Sequence, residues 1–203
     1  MKRIILSLLA ILLCLQSFSQ VVRVGNGITN NTEIPFFIDD STSSFVQQIF
    51  TAQEINQNNM YIESIAIEAL DYSYLRNGNF SIYIGSTTQS SFLNDFIPLE
   101  NMTKVFSRDN YGIFSNNPFI DTVIVTHIYF DRPYLWDGSS NIVLTFVANK
   151  SIDYVCNSDS LGYLSDQTSD PMTRRAYLTY PNTFTIDSTP NFGENSNQRS
   201  NIR

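Results

Sequence analysis

The stretch VIVTHIYFDRPYLWDGSSNIVLTFVAN, residues 123–149, decides the fold. Val123–Phe130 is a run of apolar, β-branched and aromatic residues interrupted only by His127. Ile142–Ala148 is a second such run. Between them Asp137-Gly138 supplies turn chemistry, because aspartate bonds its own backbone and glycine takes a positive φ without steric cost. Both runs have strand length and strand composition, so the two are expected to be adjacent strands. Trp136, the only tryptophan, stands just before the turn. Exposed, its indole would be a stacking platform for a sugar; buried, it would plug the end of a core. The turn signature does not require an indole, so Trp136 reads as a corner that closes the fold.

Working outward, similar runs recur between turn signals. They are Val21–Val24, Phe45–Phe50, Ile62–Leu70, Phe80–Ile84, Lys104–Ser107, Tyr154–Cys156, Gly162–Leu164 and Ala176–Tyr180. Ile62–Leu70 is apolar on both faces in places, as in a central strand. Asn77-Gly78 ahead of Phe80 is a hairpin-type pair. Asn201-Ile202-Arg203 looks like the start of a last strand. Helix signals are scarce. Thr51-Ala-Gln-Glu54 has capping-box spacing, but Asn56–Asn59 will not sustain a helix, so at most one short helix is expected near 51–57. Many short strands and no long amphipathic pattern predict an all-β sandwich, most simply a jelly roll.

Composition agrees. Asn, Ser and Thr number 21, 24 and 16 of 203 residues, whereas charged residues are only 15%. Polarity therefore comes from neutral side chains that compete with the helix backbone. Aromatics at 13% favour strands.

The first residues read as an address. Lys2 and Arg3 precede the apolar run Ile4–Leu15, and Ser17-Phe18-Ser19 offers small residues where a signal peptidase reads. Residues 1–19 are expected to be a secretory signal, too short for a membrane span, and 20–203 a single domain beginning at Gln20. The rival reading makes Cys14 a lipidated residue, although Leu12-Leu13 is not the small pair usual there. The expected location is extracellular or at the cell surface, with the periplasm as the other compartment. With Cys14 removed, Cys156 is the sole thiol and no internal disulfide forms. Losing Lys2 and Arg3 moves the net charge from −7 to −9. No basic run exists to neutralise phosphates, so nucleic acid is not an expected partner.

No constellation specifies catalysis. His127, the only histidine, lies mid-run without a Gly-x-Ser-x-Gly element, and reads as structural. One His and one Cys serve a zinc site poorly. Glu54, Glu63, Glu68 and Glu100 are available for a glycoside hydrolase, but no spacing pairs any two. The reading is a non-enzyme. Two kinds of site remain. Phe36, Phe37, Tyr72, Tyr74 and Tyr111 lie in turn-rich segments, and Asp71-Tyr-Ser-Tyr-Leu-Arg76 adds a carboxylate and a guanidinium. Phe36, Phe37, Asp71, Tyr72, Tyr74 and Arg76 are thus the candidate ligand-binding set. Glu33, Asp39, Asp40 and Asp71 are candidate oxygen ligands for calcium, which takes six to eight loop oxygens.

Five segments taken in order carry a family resemblance: NTEIPFF (31–37), FVQQIFTAQEI (45–55), IGSTTQSSF (84–92), IPLENMTKVF (97–106) and YLWDGSSNI (134–142). Together they resemble the cleaved-adhesin, or gingipain-adhesin-type, modules of Gram-negative gut and oral bacteria. The resemblance spans roughly 25–203. It implies a galactose-binding-like jelly roll, a secreted or surface setting, calcium in some relatives, and binding of an extracellular glycan or protein without catalysis. The alternatives are a structural or assembly subunit of a surface complex and a glycoside hydrolase on the same scaffold.

Overall fold

A computed structural model describes residues 20–31, 35, 42–70, 74–76, 78–109, 111–114, 123–150, 162–179, 181–185 and 187–203. The chain is an antiparallel sandwich of two sheets. Its strands are β1 (Thr29–Asn31), β2 (Thr42–Phe50), β3 (Met60–Leu70), β4 (Tyr74–Arg76), β5 (Asn79–Thr87), β6 (Thr103–Asp109), β7 (Gly112–Phe114), β8 (Val123–Trp136), β9 (Asn141–Asn149), β10 (Gly162–Gln167), β11 (Thr173–Thr179), β12 (Glu194–Ser196) and β13 (Gln198–Ser200). The first sheet runs β1-β10-β3-β8, with β13 also on β10. The second runs β12-β11-β2-β9-β5-β6, and β4 pairs with β7 apart from both.

The pairings nest. β5 pairs with β6, β3 with β8, β2 with β9 and β1 with β10. Successive pairs alternate between sheets, so the chain winds as a folded double ribbon. Such alternation makes the connections cross from one sheet to the other. That corrects the expectation for 123–149: β8 and β9 are not neighbours but lie in facing sheets. The Asp137-Gly138 turn is an arch over the core. Likewise β4 and β5, which flank Asn77-Gly78, pair with β7 and with β6 and β9, not with each other.

The main core fills the space between the sheets. Ile65, Ile67, Ala69, Ile128 and Tyr163 come from one side, and Phe50, Phe80, Ile82, Ile84, Leu144 and Phe146 from the other. Trp136 closes one end. It is fully buried, and its Nε1–H donates to the Ser140 carbonyl at 2.8 Å. The arch holds it there. The Asp137 carboxylate accepts the N–H groups of Ser139 and Ser140 at 2.7 Å each and the Ser140 hydroxyl at 2.6 Å. The Ser140 hydroxyl and these amides hold its pKa well below the usual carboxylate range. Gly138 has φ +76°, and a Cβ there would come within 2.6 Å of the Asn59 nitrogen, so only glycine lets the arch lie against 58–59.

The short helix α1 (Ala52–Ile55) forms as its capping box predicts. Glu54 N–H donates to the Thr51 hydroxyl, and Thr51 N–H donates to the Glu54 carboxylate. Asn56 ends it in the left-handed region. The buried Arg199 donates to Glu54 at 2.5 and 2.9 Å and to the Ile49 carbonyl at 2.9 Å. Burial pushes the Glu54 pKa up, but the bonds from Arg199 and Thr51 outweigh it and bring it to about 2.

Candidate functional site

The two sheets differ on their outer faces. On the second sheet that face is covered by the chain itself. Phe45, Tyr83 and Val147 pack under Phe96, Leu99 and Phe184, and Ile49 and Val143 under Phe92 and Ile97. Buried amides pin the cover. Gln47 donates to the Ile97 carbonyl at 2.7 Å and accepts its N–H at 2.8 Å. Asn149 does the same for Phe184, at 2.9 Å in both directions.

The outer face of the first sheet keeps exposed rings. A β-bulge between Ile62 and Ser64 sets Glu63 and Ser64 in succession on the outer side. The apolar set therefore stays inward, with Met60 and Ile62 before the bulge and Ile65, Ile67 and Ala69 after it. Tyr61 stands opposite Leu135, Ser64 opposite Tyr129 and Ala66 opposite His127. Tyr61, Leu135 and Tyr129 are 63%, 57% and 71% exposed. His127 stacks on Tyr129, ring centres 6.3 Å apart. His127 is exposed. At the Tyr61 end this face runs into an open hollow of ≈ 630 Å³ lined by Asn58, Asn59, Leu135, Asp137 and Ser139. Two amides, a hydroxyl and a carboxylate thus border an exposed phenol and an exposed leucine. That combination suits a ligand with one apolar and one hydroxyl-rich face.

Farther along the same face, Glu68 is buried and holds both ends of the described chain. Arg23 donates to it at 2.7 and 2.8 Å, Arg203 at 2.7 Å and the Asn201 amide at 3.2 Å. Burial pushes its pKa up, but these donors outweigh burial and leave it lowered. Beside it Ile202 bridges Val24 on one side and Ile67 on the other, as expected of a last strand.

Of the residues chosen from sequence, Tyr74, Arg76 and Tyr111 are described. Glu33, Phe36, Phe37, Asp39, Asp40, Asp71 and Tyr72 lie outside the described residues. Tyr74 and Arg76 lie on β4, opposite Phe114 and Gly112 of β7. Tyr111 is half-buried, stacked on Phe80 at 5.3 Å and edge-on to Phe106 at 5.0 Å, so it extends the core. Among the described residues no three His, Cys, Asp or Glu side chains gather as a metal site. Of the four carboxylates weighed for glycoside hydrolysis, Glu54 and Glu68 are ion-paired to arginines. Glu63 and Glu100 are exposed.

Sequence reasoning missed Tyr61, Tyr129 and the Asn58-Asn59 hollow because it sought ligand aromatics in loops. The available signal was strand parity, since Val123, Val125, His127 and Tyr129 share one side of β8. No helix among the described residues is long and apolar enough to cross a membrane. Comparison with protein-family models, curated proteins and solved structures finds no match for the chain.

Proposed function

We propose that this chain is a secreted or surface binding module that recognises an extracellular carbohydrate or protein ligand without catalysis. One observation carries the reading. The chain covers the apolar outer face of one sheet but leaves Tyr61, Tyr129 and Leu135 exposed on the other, beside an amide-lined hollow. Side chains on strands of a packed scaffold hold such a surface rigid, which keeps the entropy cost of binding low. The ligand lies along Tyr61 and Leu135, with polar contacts from Asn58, Asn59 and Ser139.

The resemblance to cleaved-adhesin modules points the same way. The nested strand pairing supports a jelly roll, and the Lys2-Arg3 segment supports export by residues 1–19. Calcium bound through Glu33, Asp39, Asp40 and Asp71 belongs to the same reading, and a chelator should then lower the melting temperature by several degrees. The ligand site is tested on a glycan array and by pull-down from matched extracellular material. Tyr61→Ala and Asn59→Ala should each abolish or strongly weaken binding while the melting temperature holds. Binding that survives both substitutions overturns this site.

A further inference from the structure

The four sheet edges are treated differently. β1 and β12 end their sheets with three residues each, and β12 carries Glu194. β6 carries Lys104, Arg108 and Asp109 and is stitched to the second half of β8. Four residues of β8, Phe130–Pro133, stand where β3 has only Glu63. This excursion reaches across to β6. Asp131 accepts Arg108 and the Ser107 N–H, and Arg132 donates to the Lys104 carbonyl at 2.8 Å. Short strands, charges and proline are the devices that stop a sheet edge from pairing with another chain.

The first half of β8 has none of them. Val123–Phe130 is eight residues long, uncharged and free of proline, in unbroken register with β3 up to Tyr129. Among the described residues no backbone group pairs with its far side. Even Thr126, opposite the buried Ile67, is only half-buried.

We propose that this half-strand is a docking edge for a second copy of the chain, forming a two-fold dimer by antiparallel β8–β8 pairing. The choice of a second copy rests on charge and register. A chain of net charge −7 repels its own copy, and least where eight neutral residues face each other. A two-fold edge contact must be antiparallel and must place outward residues opposite outward ones. A register centred on Thr126 does so. It sets Thr126 opposite Thr126, Val125 opposite His127 and Val123 opposite Tyr129, with no like charges facing. Thr–Thr and aromatic–β-branched pairs are among the favourable cross-strand pairs. The outer faces of the two first sheets then form one surface. This inference does not depend on the ligand proposed above.

The test is sedimentation of the chain expressed from Gln20 onward, which contains every described strand, up to about 1 mM. The native chain should show a monomer–dimer equilibrium. Val125→Glu with His127→Glu sets two Glu–Glu pairs across the seam and should weaken dimerisation about tenfold or more. Val125→Lys with His127→Glu sets two Lys–Glu pairs at the same positions and should retain the dimer. Circular dichroism confirms that both variants fold. A native chain that stays monomeric, a Glu–Glu variant that dimerises as the native chain does, or a Lys–Glu variant that fails to dimerise while folded overturns the proposal.

Discussion

The outer faces of the two sheets are alike in sequence and opposite in fate. β2 and β9 read as apolar runs, and so does the first half of β8. Yet β2 and β9 are buried along both sides, whereas β8 exposes Val123, Tyr129 and Leu135. The difference lies in what the neighbouring loops carry. The segments after β5 and β11 bring Phe92, Phe96, Ile97 and Phe184 back over the second sheet, where buried Gln47 and Asn149 receive them. Over the first sheet the described chain contributes a polar clasp on Glu68, and the rings beyond it stay bare. A strand's own side chains therefore do not decide whether its outer face is core or exposed surface.

Substitutions can break or sharpen this contrast. Phe45→Ala should cost most, about 3–5 kcal/mol in denaturant unfolding, because Phe45 is fully buried between Phe96 and Phe184, ring centres 5.0 and 5.8 Å away. Glu68→Gln should follow at about 1–3 kcal/mol, since it removes charge-assisted bonds from two arginines that remain partly hydrated. Trp136→Phe should cost about 1–2 kcal/mol, through the lost volume and the lost Nε1–H bond, and leave ligand binding intact. A binding loss in that folded variant would extend the site into the arch.

The acid limb of stability comes next. The Glu54 pKa is about 2 in the fold against an ordinary 4.5. The stabilisation this confers is complete above pH 4.5 and is lost as pH falls toward 2. Glu54→Gln should flatten the stability–pH curve in that window, read from denaturation midpoints. An unchanged slope would show that the Arg199 pair carries no linkage. Tyr129→Ala should cost least, within about 0.5 kcal/mol. A cost like that of Phe45→Ala would show that the face is covered after all.

Much of the fold was legible in the sequence. Most strand runs, the capping box at Thr51 and the corner role of Trp136 follow from local chemistry alone, although Val21–Val24 forms only an isolated bridge at Val24 and Tyr154–Cys156 lies outside the described residues. The β8–β9 adjacency did not, because Asp-Gly reports a reversal of direction and not whether the next strand returns beside its predecessor or crosses to the facing sheet. Counting by twos through MYIESIAIEAL fails at the bulge beside Glu63. Gln47 and Asn149 look like surface residues until the loops that bond them are in place. The candidate face was hidden for the same reason, since Tyr61 and Tyr129 are ordinary strand aromatics unless the absence of a cover is known.

The Glu68 clasp has a mechanical consequence. Val24 and Ile202 form an antiparallel bridge, so the segments running to Gln20 and Arg203 leave it on the same side. A load applied between those two ends peels the clasp rather than shearing it. The Arg203, Glu68 and Ile202 contacts would meet the force one after another, not all at once. A module tethered by both ends would therefore open first at this seam, at low force, while the aromatic face and the core behind it stayed folded.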